Sequence, residues 1–226
     1  MLTSIKIDNR INAHLGIPSG AGKKPVVIHL HERYGIVQHT TDLGQKFVDA
    51  AYVTIVPDFF SRFTGDREAL ARGDDRCELN DEEVLLDLDA VVNHLRTIPE
   101  ADLSKIAMSG VCQTGRQPIL AAAKRNDIRA AVVLYGAVYD ADWKSHPIRP
   151  EPIDKLMQEI KCPLTAVFGE LGLGDHLPPA CRPVHPAERR RRRADAAEPG
   201  RRRGHVHRTP GHRRRRAPGR GELGPR

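Results

Sequence analysis

The sequence of 226 residues has four cysteines, Cys77, Cys112, Cys162 and Cys181, and no two stand in C-x-x-C spacing. That absence argues against a structural zinc site or a dithiol redox motif. No stretch approaches the roughly 20 apolar residues that span a membrane. The N-terminal M-L-T-S-I-K-I-D-N-R lacks the apolar centre of a secretory leader. The expectation is therefore a cytoplasmic protein with reduced thiols. Dinucleotide and P-loop glycine patterns are missing as well, so no nucleotide cofactor is expected. Aromatic residues make up 4% of the chain and apolar residues 39%.

A net positive charge is missing from most of the chain, although the formal net charge is +7. Residues 180–226 hold 16 arginines against four acidic residues, a local balance of +12. The first 179 residues carry 20 basic and 25 acidic side chains, a balance of −5. The body is mildly acidic and the basic character belongs to the tail, so the overall charge says little about partners of the body.

What is present in the body is an alternation of strand and helix signals. Leu2–Ile7 and Ile11–Ile17 read as two short strands around a D-N-R turn. Pro25–Leu30, Tyr52–Val56, Lys105–Ser109, Arg129–Tyr135 and Pro163–Phe168 are compact apolar runs of the kind found in buried parallel strands. Thr40–Ala51, Asp81–Leu95, Gln113–Lys124 and Ile153–Ile160 have helical spacing, and Asp81, Glu82 and Glu83 favour a helix N-terminus. Ser61–Asn80 is polar and reads as a surface excursion; its Arg62, Arg67, Arg72 and Arg76 are either solvated or ligands for a substrate carboxylate. This order predicts an α/β fold with a mostly parallel sheet covered on both faces. Chemistry in such sheets gathers at the carboxyl ends of the strands.

One such end carries Ser109-Gly110-Val111-Cys112-Gln113-Thr114-Gly115. Small residues around a nucleophile between a strand and a helix make the pattern of a nucleophile elbow. A sharp turn pushes the thiol out of the sheet, and the helix N-terminus behind it favours negative charge. The backbone N–H of Gln113 then offers half of an oxyanion hole. Thr114 departs from the pattern, which wants glycine there; Gly115 follows one residue late. The other reading of Cys112 is a buried core cysteine.

Together with this elbow, H-E-R-Y-G (His31–Gly35), V-P-D-F-F-S-R (Val56–Arg62), V-V-L-Y-G (Val132–Gly136) and V-F-G-E (Val167–Glu170) occur in an order that resembles the dienelactone hydrolase family, from about Leu2 to Glu170. The resemblance implies a three-layer α/β-hydrolase fold over residues 1–179, with its C-terminal edge truncated or disordered. It implies hydrolysis of a lactone or ester of dienelactone (carboxymethylenebutenolide) type through a thioester on Cys112, without cofactor or metal. Glu32 is implied to hydrogen-bond the resting thiol and help deprotonate it, and the N–H of Arg33 to complete the oxyanion hole. The family places an acid after the strand matching Pro163–Phe168 and a histidine some thirty residues later. The matching candidates are Asp175, with Glu170 in reserve, and His205, with His207 beside it. His29 and His31 form an H-x-H, but no third metal ligand is evident.

Residues 180–226 contain no Ile, Phe, Tyr, Trp, Met, Lys, Asn, Gln or Ser. Such a segment buries too little apolar surface to offset its ordering entropy and is expected to be disordered. It reads either as an arginine-rich arm for nucleic acid or another polyanion, or as GC-rich DNA translated out of frame. Two alternatives to the hydrolase follow: a polyanion-binding protein, and an inactive hydrolase remnant that lacks its base.

Overall fold

The computed structural model describes residues 1–136 and 140–169. The chain opens with a hairpin of β1 (Thr3–Ile7) and β2 (Ile11–Gly16). Its turn places Asp8 and Asn9 at φ of 49° and 53°, a left-handed conformation that short polar side chains tolerate. Then follow β3 (Lys24–His29), α1 (Gln38–Asp49), β4 (Val53–Pro57), α2 (Arg67–Arg72), α3 (Asp81–Leu95), β5 (Ala101–Val111), α4 (Arg116–Lys124), β6 (Ile128–Leu134), α5 (Ile153–Glu159) and β7 (Leu164–Val167). The sheet order is β1-β2-β4-β3-β5-β6-β7; β2 meets both β1 and β4 antiparallel, and every pairing from β4 through β7 is parallel.

The two faces are covered by different helices. On β2, Ile11, Ala13 and Leu15 point one way, into the larger core shared with Val84, Leu88, Val91 and Leu95 of α3. Gly16 points the other way, towards α1: a Cβ there would meet Val48 Cγ2 at 2.3 Å. A Cβ on Gly44 of α1 would likewise meet Val56 Cγ2 of β4 at 2.9 Å, so helix and sheet approach where side chains are absent. α3 is capped by Asn80, whose side chain accepts from the N–H of Glu82 at 2.9 Å. No helix among the described residues is long and apolar enough to cross a membrane.

The excursion read as loop contains α2. Asp66 caps it by accepting from the N–H groups of Glu68 and Ala69, and Gly73 closes it at φ 84°. Leu70 is its buried anchor. Strand β5 begins at Ala101, four residues earlier than the apolar run predicts, and accommodates the extra length by register shifts against β3 and β6.

His29, at the end of β3, is buried beside Phe47, with Nδ1 2.8 Å from Ser109 Oγ. Burial, with smaller contributions from His31 and His39, pushes its imidazole down from 6.5 to about 4. Between those two values the unfolded chain binds a proton that the folded chain refuses. The stability from a neutral His29 is therefore complete above pH 6.5 and is lost as pH falls towards 4, by about 3 kcal/mol over the whole range. Urea midpoints at pH 7.5 and 4.5 should show this loss, and His29→Gln should shrink it. An undiminished loss in that variant would assign the pH dependence elsewhere.

Candidate active site

Cys112 stands where β5 ends and a turn of 3-10 helix, Cys112–Gly115, leads into α4. Its φ is +53°, which an L-residue adopts only when the surroundings hold it there. The neighbours show what holds it. A Cβ on Gly110 would meet the Thr114 carbonyl oxygen at 2.1 Å. One on Gly136 would meet the Cys112 carbonyl oxygen at the same distance, and one on Gly115 would meet Gly136 Cα at 2.6 Å. The corner is closed by three glycines, two of them beside the elbow in sequence and one at the end of β6.

Thr114, which departs from the elbow pattern, has its own duty. It is fully buried; its Oγ1 accepts from the N–H of Val111 at 3.0 Å and donates to the His31 carbonyl at 2.7 Å. The hydroxyl thus braces the elbow against the loop after β3, and Gly115 provides the close approach.

That loop carries His31, Glu32 and Arg33. His31 is fully buried; its Nδ1–H donates to the Glu32 carbonyl at 2.7 Å, and Nε2 accepts from the N–H of Phe59 at 3.1 Å. With both ring nitrogens committed to backbone, it fixes the loop. Burial pushes its pKa down, against the pull of Asp58.

The Glu32 carboxylate accepts from the hydroxyl of Tyr135, a partner that sequence patterns did not single out. Tyr135 follows β6 at φ +42°, a second strained backbone position at the same end of the sheet. Partial burial, then the hydrogen bond to Glu32 and the negative charge of Glu32, push its hydroxyl pKa up. Tyr135 therefore stays protonated and holds the Glu32 carboxylate as a donor.

A cavity of about 440 Å³ opens on the thiol, lined by Arg33, Arg76, Glu78, Cys112, Gln113, Asp142 and Arg149. Of the four arginines in the excursion, Arg76 alone lines it. Arg62 is paired with Asp87 at 2.6 Å, Arg67 with Asp58 at 3.0 Å and Arg72 with Asp74 at 2.9 Å. Arg76 is 3.4 Å from Glu78, and Arg149 is 3.8 Å from Glu78 and 3.9 Å from Asp142. The walls are polar and of mixed charge. No group of three metal-ligating side chains occurs among the described residues.

The structure thus brings Cys112, Arg33 and Gln113 to one cavity, while Glu32, on the same loop as Arg33, is hydrogen-bonded to Tyr135. Asp175, Glu170, His205 and His207 lie outside the described residues, as does the 180–226 tail.

Residues 11–180 match the model of the dienelactone hydrolase family. A Methylorubrum extorquens protein provisionally named carboxymethylenebutenolidase is 26% identical over 187 residues, covering 77% of this chain and 62% of the relative. A Yersinia pestis protein of the same provisional name is 31% identical over 120 residues, covering 51% of this chain and 44% of its own. The chain therefore spans less than two thirds of these relatives. Among solved structures, a Klebsiella pneumoniae protein provisionally named dienelactone hydrolase superposes with a TM-score of 0.67 at 23% identity, covering 87% of this chain and 81% of the other. Est1E of Butyrivibrio proteoclasticus gives 0.57 at 16% identity, covering 75% and 78%. These likenesses show the α/β-hydrolase fold.

Proposed function

The chain belongs to the dienelactone hydrolase family, and from that premise we propose that it hydrolyses a small lactone or ester of dienelactone type, with Cys112 as nucleophile. The observation that carries the reading is Cys112 itself: a strained residue at a strand-to-helix corner, opening on a polar cavity of about 440 Å³.

The steps follow from the groups in place. The thiol gives its proton to a base, a role the family resemblance implies for Glu32, and the thiolate attacks the ester carbonyl. Charge gathers on the carbonyl oxygen, where the N–H groups of Arg33 and Gln113 receive it. Collapse of this tetrahedral species breaks the acyl–oxygen bond; the alkoxide takes up the proton, and the acyl group stays on Sγ as a thioester. Water then attacks the thioester, its hydroxyl goes to the acyl carbon, and its proton returns to sulfur. Tyr135 fixes the Glu32 carboxylate by donating to it. The imidazole that moves protons and the carboxylate that holds it in the right tautomer are assigned to His205 and Asp175, as the family resemblance implies.

Iodoacetamide tests the reading. Stoichiometric alkylation of Cys112 should abolish hydrolysis of p-nitrophenyl acetate, and a saturating lactone should slow the alkylation. Full activity in a chain alkylated at Cys112 would reject the mechanism.

A further inference from the structure

Arg33 and Gln113 are assigned to the oxyanion hole for their backbone N–H groups, a duty that any side chain would allow. Yet both side chains are engaged, and on the same target. Arg33 Nη2 donates to the Gly73 carbonyl at 2.8 Å, with its guanidinium 5.5 Å from the centroid of the Tyr34 ring. Gln113 Nε2 donates to the Cys77 carbonyl at 2.6 Å. One residue follows β3 and the other follows β5, and they meet on a stretch that neither strand adjoins in sequence. Tyr34 adds a third contact: a Cβ on Gly73 would meet its Cε1 at 2.9 Å.

The stretch so held, residues 73–78, begins at the C-cap of α2 and brings Arg76 and Glu78 to the cavity wall. We infer that this segment is a substrate-contacting roof whose position is coupled to the oxyanion hole by the side chains of Arg33 and Gln113, which act as positioning residues. The inference rests on the proposed hydrolase reading for its catalytic consequence, but the clamp itself is a matter of geometry. Each N–H donor sits on a residue whose far end grips the roof. A substrate pressing on Arg76 or Glu78 therefore moves the same two residues that receive the developing charge.

The two gripping side chains each leave one polar atom over: Gln113 Oε1 and Arg33 Nε are buried with no partner among the described residues, which is unfavourable.

The experiment is amide hydrogen exchange and p-nitrophenyl acetate kinetics on the full chain, on Arg33→Met, on Gln113→Met and on the double variant. Methionine keeps the backbone N–H and the length of the side chain but removes the donor. Each single variant should exchange faster by about tenfold in residues 73–78, with β3 and β5 unchanged. Each should also lose about tenfold in kcat/KM, chiefly in kcat, because the roof fixes groups used in the transition state. The double variant should lose less than the product of the singles, since both act through one segment. Arg33→Lys, which can still donate to Gly73, should recover part of the loss. Unchanged exchange in 73–78 overturns the clamp, and raised exchange with unchanged kinetics overturns its coupling to the hole. If the unmutated chain hydrolyses no ester, the proposed function fails, and the exchange data still decide the clamp.

Discussion

Cys112→Ala should lower ester hydrolysis by about 10³-fold or more while leaving the fold intact. Alanine accepts the left-handed backbone at position 112 no worse than cysteine does, so the glycines at 110, 115 and 136 keep their contacts. What disappears is the sulfur that forms the thioester, and no neighbouring group can replace it. Of the other free cysteines among the described residues, burial raises Cys77 to about 11, which leaves it almost entirely as thiol at neutral pH. Cys112→Ser should recover little, since a hydroxyl is far harder to deprotonate than a thiol. Circular dichroism and a urea midpoint within error of the unmutated chain would show that the loss is chemical. Retention of more than a tenth of the activity in Cys112→Ala would remove Cys112 from the mechanism.

The second large effect is on stability and arises four residues further on. Arg116 is 2% exposed, and its Nε and Nη2 lie 3.0 and 2.7 Å from the Asp81 carboxylate, itself buried at the start of α3. Nη2 also donates to the Glu151 carbonyl at 2.5 Å, and the N–H of Asp81 donates to Ile148 at 2.9 Å. One ion pair therefore joins α4, α3 and the loop that carries Arg149 to the cavity. Arg116→Met leaves the Asp81 charge buried without its partner, a change that costs about 3–5 kcal/mol. In thermal denaturation that is roughly 10 °C. The double variant Arg116→Met with Asp81→Leu leaves no charge behind and should regain most of the loss. A single variant as stable as the unmutated chain would mean that the pair does not hold the loop.

Arg116 also shows where the sequence stops being informative. Its place on a helix after the elbow is legible from periodicity, but its partner is 35 residues away and on another helix. Tyr135 and Glu32 are 103 residues apart, so their contact exists only once β3, β5 and β6 lie side by side. Elements with a repeating apolar pattern were readable: α3 spans Asp81–Leu95, the bounds its spacing predicts. Helix α2 was obscured because D-R-E-A-L-A-R-G is dense in charge, yet Asp66 as N-cap and Gly73 as C-cap were present to be read. The elbow was legible because close packing there admits only small residues. The role of Thr114 was not legible: the pattern reports size, whereas the hydroxyl makes two hydrogen bonds to backbone at separate strands' ends.

The central claim is that an acyl group passes through Cys112. The direct measurement is to mix the chain with p-nitrophenyl acetate, quench in acid within the first turnovers, digest with pepsin and read the peptides by mass spectrometry. The account predicts an acetyl group on the peptide that contains Cys112, absent when the chain is first alkylated with iodoacetamide. An acetyl group on Cys77 or Cys162 with Cys112 bare would contradict it.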